Sequence, residues 1–326
     1  MLHYPVTESA FPTRRPKAFR HDAVFYGGER GFLAAVLPFV SAAVERDEPV
    51  LVAVLPAREQ ALRNELGPAS RQVEFVDMES AGRNPARIIP VWHDFVSRHA
   101  GGGKALNGVG EPIWPERTAP EIAECQRHES LLNLAFAAAG SFSLICPYDE
   151  AGLPADVLAA ARESHPHVVE DGKRHASASY CGVDCIDVAD RRPLAPPREI
   201  QVERAFDARD VTSVRRDVTS WAAANDLERA RADDLALAAH EAAVNSIRHG
   251  GGRGALRLWR DDDSLVCEVA DAGELHDPLA GRSLPAPESA NGRGLWLINH
   301  LCDLVQVRQT PSGAIVRMRQ QLHRSL

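Results

Sequence analysis

The sequence predicts two domains, a parallel α/β domain followed by an α+β sandwich. Its 326 residues are enough for two domains of ordinary size. In the first half, apolar strand segments alternate with amphipathic helices, as in a parallel sheet with right-handed crossovers. In the second half, two helices, two strands, a helix and two strands follow in turn. This order favours helices packed on one face of a mixed sheet.

The strands of the first half are short apolar segments. "PVLVAVL" (49–55) is almost continuously apolar, as in a strand buried on both faces. The other predicted strands are "DAVFY" (22–26), "QVEFVD" (72–77), "GVGEPIW" (108–114) and "FSLICPYD" (142–149). The predicted helices lie between them, at 29–47, 57–67, 85–99, 119–139 and 154–165.

A break in the pattern marks the domain boundary. Hydrophobic periodicity fails between about 166 and 200, and "RRPLAPPRE" (191–199) contains three prolines in nine residues. Such a segment is typical of a semi-rigid linker. We therefore assign residues 1–185 to the first domain, 186–199 to the linker and 200–326 to the second domain.

The second half predicts five further strands and three helices, with two hairpins among the strands. The strands are 199–207, "ALRLWR" (255–260), "SLVCEVAD" (264–271), "LVQVRQ" (304–309) and "GAIVRMRQQL" (313–322), of which the last four pair around "DDD" and "TPSG". The helices are 209–225, 228–249 and "GLWLINHLCD" (294–303), the last preceded by a Pro/Ser/Gly-rich loop at 274–292.

Composition argues against several classes of protein. The net charge of −8 gives no basic signature for nucleic acid. No run approaches the roughly 18 apolar residues of a transmembrane helix, and the N-terminus has no signal-peptide core. We expect a cytoplasmic protein without direct nucleic-acid or membrane contacts. In that reducing compartment the six cysteines are expected to be free thiols.

"HEAAVNSIRHGGG" (240–252) allows three interpretations. A zinc protease motif would need a second histidine where Val244 stands, so that motif fails. Phosphorylation of His240, as in a histidine kinase, would need a pair of long dimerising helices before residue 200, and the sequence shows none. The third interpretation is a polar site on one helix face.

That polar site would use Glu241, Asn245 and His249, which follow one another at four-residue spacing. Asn offers a hard oxygen ligand for Mg²⁺, and Glu can act as a general base. Taken alone, however, the stretch is better explained as a solvated helix face.

The downstream residues favour a nucleotide site. Asp271 ends an apolar strand, where its carboxylate can accept a hydrogen bond from an exocyclic amine, and Gly273 lets a ring approach the backbone. Gly292 and Gly294 precede a helix whose free N–H groups and dipole suit phosphate. The combination in this order is far more specific than any of its parts.

Residues 200–320 resemble the GHKL (histidine-kinase-like) ATPase family, whose fold is the Bergerat α/β sandwich. They look most like its anti-sigma regulatory factor branch, the Rsb-type serine-protein kinases of bacterial partner switching. "EAAVNSIRHG", "DAGELHDP" and "GRGLWLINHL" resemble the N, G1 and G2 boxes. The resemblance implies ATP and Mg²⁺ as cofactors, with Glu241 as the base. It implies nucleotide contacts from Asn245 (through Mg²⁺), His249, Asp271, Gly273, Gly292, Arg293, Gly294 and Leu295.

The resemblance also implies partners. A kinase of this branch sequesters a sigma factor, phosphorylates Ser or Thr of a STAS-domain anti-anti-sigma protein and often forms a homodimer. One departure is Ala314, which stands where the family often has Thr. Two alternatives stay open, a non-catalytic nucleotide-dependent binding module and a histidine-kinase-like signalling protein.

The first half resembles the MEDS (DcmR-type sensory) domain, which has a RecA-like fold. The resemblance rests on "FRHDAVFYGGERGFLAAVLPFV", "PVLVAV", "GEPIW" and "SLICPYD" and spans about residues 15–170. "YGGERG" lacks the Lys-Ser/Thr pair of a phosphate loop, and "GGGKALNG" has Arg98 and Ala105 at required Gly and Ser/Thr positions. The resemblance therefore implies a sensory or docking domain that does not hydrolyse nucleotide.

Two sets of polar residues are candidates for signal input. His21, Glu111, Trp114 and Tyr148 fall near strand ends, although a purely structural role explains each one better. His165, His167, His175, Cys181 and Cys185 are metal-ligand types, but their spacing matches no zinc pattern. Cys181 and Cys185 could form a redox or zinc pair, but free surface thiols are the favoured explanation for them.

Overall fold

The computed structural model describes residues 18–283 and 292–322. The chain divides into two compact units, Met1–Ile186 and Asp187–Leu326. Within the described ranges, no helix combines the length and the apolar character needed to cross a membrane.

The first unit is a seven-stranded sheet with the strand order β3-β2-β4-β5-β1-β6-β7. The strands are β1 (Arg20–Tyr26), β2 (Val50–Val54), β3 (Glu74–Asp77), β4 (Leu106–Gly110), β5 (Phe142–Asp149), β6 (His167–Glu170) and β7 (Lys173–Ala176). The helices are α1 (Gly28–Glu45), α2 (Pro56–Leu66), α3 (Met78–Ala81), α4 (Ile88–Arg98), α5 (Ala119–Ala135) and α6 (Ala155–Ser164), and α7 (Asp184–Arg191) crosses the unit boundary.

β1 to β6 pair in parallel, as the strand-helix alternation predicts. The prediction of irregular structure after residue 166 is wrong for β6 and β7, which form an antiparallel hairpin. Asp171 and Gly172 both have positive φ at its turn (49° and 70°). Asp-Gly is a preferred pair for such a two-residue turn, so a usable signal was present in the sequence.

Two predicted elements of this unit are shorter than expected. The strand predicted at 108–114 is Leu106–Gly110, because Pro112 has no N–H to continue the ladder. Helix α5 begins with a capping box between Thr118 and Glu121 and ends at Ala135, four residues before the predicted end. The capping box fixes where α5 starts and therefore which of its side chains face the sheet.

The second unit is a five-stranded sheet with the order β11-β12-β10-β9-β8. Its elements are β8 (Val202–Asp207), α8 (Val211–Ala224), α9 (Arg229–His249), β9 (Arg253–Asp261), β10 (Ser264–Asp271), α10 (Arg293–Leu301), β11 (Leu304–Thr310) and β12 (Gly313–Gln321). Every neighbouring pair is antiparallel, so the prediction of a mixed sheet is wrong. β10 and β11 do run in the same direction, but β12 lies between them.

One face of this sheet forms the hydrophobic core with the three helices. Alternate strand residues such as Leu256, Leu258, Cys267 and Met318 are fully buried there, together with residues of α8, α9 and α10. The opposite face carries buried charge instead. Arg317 donates two hydrogen bonds to Glu268, at 2.9 and 2.7 Å, and a third to the carbonyl of Ala195 in the Pro-rich segment.

The expectation that all cysteines are free thiols is wrong for one pair. Cys181 and Cys185 form a disulfide at the start of α7, with their Cα atoms 5.6 Å apart, a separation that a disulfide readily spans. The other four cysteines are free and buried.

Candidate functional site

Helix α9 presents two polar side chains beside a buried apolar face. Ala238, Ala239, Ala242 and Ala243 are at most 2% exposed and hold the helix against the sheet. Glu241 and Asn245 are half-buried, one helical turn apart. The small alanines let α9 approach the sheet closely while this pair stays within reach of solvent.

The N-terminal turn of α10 lies directly over this pair. A Cβ atom on Gly294 would lie 3.0 Å from Nδ2 and 3.1 Å from Oδ1 of Asn245, and 3.4 Å from Oε2 of Glu241. A larger residue at this position would require the Asn245 and Glu241 side chains to shift. The start of α10 and the two polar side chains are therefore in close contact.

Asp271 is held at the end of β10 by two donors. The Ser246 hydroxyl donates to Oδ2 at 2.5 Å, and the Gly273 N–H donates to Oδ1 at 2.8 Å. Each carboxylate oxygen can accept a further hydrogen bond. The carboxylate is thus fixed in orientation and keeps acceptor capacity for a ligand.

Glycines surround Asp271 on other sides. A Cβ on Gly250 would overlap the Asp271 carboxyl group, and a Cβ on Gly313 would overlap its carbonyl oxygen. Sequence reasoning missed Ser246, Gly250 and Gly313, because their roles arise from contacts with a distant strand. The only local signals are that Ser246 follows Asn245 and that Gly250 directly follows α9.

The start of α10 needs glycine for its backbone. Gly292 is the N-cap residue and has a left-handed conformation with φ 90°. Arg293 is exposed at the first helical position. Leu295 instead packs on the unit's core and against Gly281, whose carbonyl accepts a hydrogen bond from Asn299 Nδ2 at 2.9 Å. Most of the predicted loop between Gly281 and Gly292, residues 284–291, lies outside the described residues.

His249 and Ala314 border the site at the backbone. The His249 side chain is exposed at the last residue of α9, because eight residues at 100° each turn it about 80° from Glu241. Its carbonyl oxygen lies 2.9 Å from the Cβ position of Gly273. Ala314 is 8% exposed and pairs with Gln309 of β11, whose side chain accepts the Leu275 N–H at 2.8 Å.

The candidate input residues of the first unit do not gather in one place. The Tyr26 hydroxyl donates to Glu111 at 2.5 Å just beyond β4, and Trp114 stacks beneath the Arg117 guanidinium. His21, in contrast, lies beside His165, with 4.0 Å between ring centroids, and the Tyr148 ring meets His165 edge-on.

The five His and Cys residues between 165 and 185 are not one ligand set. His165 is fully buried with Glu129, at 3.3 Å, whereas His175 contacts Glu170 at the surface. His167 lies 4.0 Å from Asp22, and the two cysteines are bonded to each other. The one close group of metal-ligand side chains in the described ranges is His21, Glu129, Cys146 and His165.

A surface pocket of about 530 Å³ in the first unit does not suggest a ligand site. It lies beside the first residues of β2, and its charged lining is already paired, Lys104 with Asp47 and Arg98 with Glu74. Ligands of parallel α/β sheets bind at the carboxyl ends of the strands, which is the opposite end of β2.

Two family models match the chain. Residues 20–166 match the model described as MEDS: MEthanogen/methylotroph, DcmR Sensory domain. Residues 205–320 match the model described as Histidine kinase-like ATPase domain. Comparison with curated proteins gave no match. The chain thus joins a sensory domain to an ATPase domain, which indicates a role in signalling and implies nucleotide binding.

Proposed function

We propose that this chain is a partner-switching regulator. Its second unit would bind Mg-ATP, sequester a sigma factor and phosphorylate Ser or Thr of a STAS-domain anti-anti-sigma protein. The first unit would adjust that activity in response to a signal. The match to a histidine-kinase-like ATPase supports nucleotide binding, and the match to a sensory domain supports regulated output.

The single observation that carries the proposal is the position of Gly294 over Glu241 and Asn245. A helix N-terminus with a nearby glycine accepts phosphate groups, because its N–H groups are free and its dipole favours negative charge. At Gly294 the start of α10 lies against the amide of Asn245 and the carboxylate of Glu241. These residues fit a magnesium-bound triphosphate.

Each residue has a defined task in this proposal. Bound ATP would supply the phosphoryl group, and Mg²⁺ would neutralise its charge. Asn245 offers its Oδ1 to the metal. Glu241 offers its carboxylate to take the proton from a Ser or Thr hydroxyl of the partner. Asp271, oriented by Ser246 and Gly273, accepts a hydrogen bond from the adenine amine.

The experiment is a phosphotransfer assay with a partner that is first recovered from native lysate in the presence of Mg-ATP. We expect acid-stable phosphate on a Ser or Thr of a STAS protein. Glu241→Ala should keep ATP binding and lower the transfer rate at least ~100-fold, within the range for loss of a general base. As a matched control, Glu228→Ala removes a carboxylate just before α9 and should transfer normally.

Three other results would contradict parts of this proposal. Equal transfer by Glu241→Ala would remove Glu241 as the base. Binding of a sigma factor or STAS protein without any transfer would favour a non-catalytic binding module. Acid-labile phosphate on the chain itself would favour a histidine-kinase-like protein and direct attention to His240.

A further inference from the structure

The first unit contains a buried cluster of four metal-ligand side chains. His21 comes from β1, Glu129 from α5, Cys146 from β5, and His165 follows α6. All four are at most 2% exposed. One ligand atom from each lies within 4.8 Å of every other. The proposed nucleotide site uses none of them.

The hydrogen bonds around the two histidines fix which ring nitrogen carries a proton. Asn133 Nδ2 donates to the Ser164 carbonyl at 2.8 Å, so its Oδ1 faces His21 Nδ1 at 3.2 Å. His165 Nδ1 lies 2.7 Å from the Ala161 carbonyl. Both acceptors require an N–H, so both rings donate from Nδ1. Metal-binding histidines are held in this way, with Nε2 left as the ligand atom.

Both Nε2 atoms then face the same carboxylate oxygen. Oε2 of Glu129 lies 3.0 Å from Nε2 of His21 and 3.3 Å from Nε2 of His165. With the protons on Nδ1, these are contacts between acceptors, which a cation placed between them would satisfy. A bound cation would satisfy both contacts at once, whereas without a cation each contact needs an added proton on its imidazole.

The spacing and charge match a tetrahedral Zn²⁺ site. Zn–N and Zn–O distances of about 2.0–2.2 Å and Zn–S distances of about 2.3 Å give ligand–ligand separations of roughly 3.3–3.7 Å. His21 Nε2 and Cys146 Sγ are also 3.3 Å apart, so these three separations lie at or just below that range, and all four ligand atoms lie within 4.8 Å of one another. One carboxylate and one thiolate balance the two charges of the ion, so a buried site with neutral imidazoles has no net charge.

We propose that His21, Glu129, Cys146 and His165 form a closed zinc site in the first unit. The site joins two strands, a helix and the segment after α6. Bound metal therefore stabilises this unit, because the four ligands are brought together only in the folded state.

The test is metal reconstitution of the full chain after chelation. We expect about one Zn²⁺ per chain by mass spectrometry, the occupancy of one closed site. Co²⁺ in its place should give tetrahedral visible bands and a thiolate-to-cobalt charge-transfer band. Cys146→Ser should lose that band and weaken zinc binding at least ~10-fold. Cys125→Ser is the matched control, because Cys125 is equally buried on α5 but donates to the Pro112 carbonyl instead.

Either of two results would overturn the proposal. The first is wild-type protein that takes up less than about 0.1 equivalent of Zn²⁺ and Co²⁺, well below one closed site. This measurement does not depend on whether Cys146→Ser folds. The second is zinc that Cys146→Ser retains and a Cys181→Ser/Cys185→Ser double variant loses, since the metal would then belong to the surface pair.

Discussion

At the scale of single residues, the polar pair on α9 could be predicted from the sequence. The serine that orients the nearby Asp271 could not. Four-residue spacing indicates that Glu241 and Asn245 share a helix face, and both do lie beside Gly294. Ser246 is different. Its hydroxyl gains a role only because β10 places Asp271 2.5 Å away. The two residues are 25 positions apart, so no local sequence pattern indicates this contact.

Ser246→Ala tests that contact. Removal of the hydroxyl leaves a half-buried carboxylate without one of its donors, which costs about 1–2 kcal/mol of unfolding free energy. We also expect nucleotide affinity to fall, because Asp271 loses its fixed orientation. Urea unfolding, followed by hydrogen exchange in α9 peptides, measures the first effect.

Thr219→Ala provides the comparison. The Thr219 hydroxyl also donates a hydrogen bond, but to a backbone carbonyl four residues earlier, at 3.0 Å. This bond lies on the exposed side of α8. It should change unfolding by less than about 0.5 kcal/mol and leave nucleotide affinity unaltered. If Ser246→Ala behaves like Thr219→Ala, the hydroxyl does not support Asp271.

Glu111 makes a pH-dependent contribution to the first unit. Burial raises the pKa of its carboxyl from 4.5 to about 7, although the hydrogen bond from Tyr26 and the Arg58 charge act in the opposite direction. The unfolded chain therefore ionises first, and the unit loses stability as pH rises from about 4.5 to about 7. Across this whole pH range the free energy of unfolding falls by about 3 kcal/mol.

Glu111→Gln should remove this slope while keeping an oxygen acceptor for Tyr26. Hydrogen exchange of β4 and β5 peptides at several urea concentrations and pH values gives the unfolding free energy of this unit alone. Glu116→Gln, an exposed carboxylate in the same loop, is the control and should follow the wild type. Parallel profiles for Glu111→Gln and the wild type would contradict the account.

At the scale of elements, long periodic segments were predictable and short polar ones were not. The predictions for α1, α8 and α9 lie within a few residues of the observed helices, because each has an extended apolar stripe. The β6–β7 hairpin was missed because each strand has only four residues and β7 is mostly exposed. Strand direction in the second unit was also wrong, since β12 inserts between β10 and β11, which a crossover helix separates in sequence.

The turn of this hairpin makes its own prediction. Gly172 has a φ of 70°, so Gly172→Ala should destabilise the hairpin by about 1 kcal/mol or more. Hydrogen exchange of a peptide covering 167–176 measures the loss. Gly102→Ala is the control, because Gly102 lies in a loop and has no positive φ. A Cβ atom at this position would contact only the His99 carbonyl oxygen, at 3.5 Å. Equal protection in Gly172→Ala and the wild type would show that the turn does not limit the hairpin.

At the scale of the whole molecule, the Pro-rich segment in the sequence indicates where the chain divides into two parts. The Pro-rich segment 191–199 carries no helix or strand beyond Arg191, the last residue of α7. The first compact unit ends at residue 186 and the second begins at residue 187. One family match lies before this boundary in the sequence and the other lies after it. The order of a sensory domain and an ATPase domain was recognisable from motifs. The disulfide was not, because a Cys-x₃-Cys spacing alone does not distinguish a bonded pair from two thiols.

The central claim is that the second unit binds magnesium nucleotide through Asn245 and the start of α10. Isothermal titration of the full chain with a non-hydrolysable ATP analogue, with and without Mg²⁺, tests it most directly. We predict one site per chain, tighter binding with Mg²⁺, and a loss of at least ~10-fold in affinity for Asn245→Ala, about 1.4 kcal/mol. Asn225→Ala, a change at the end of α8, should bind as the wild type does. No binding by the wild type, or equal binding by Asn245→Ala, would contradict the account.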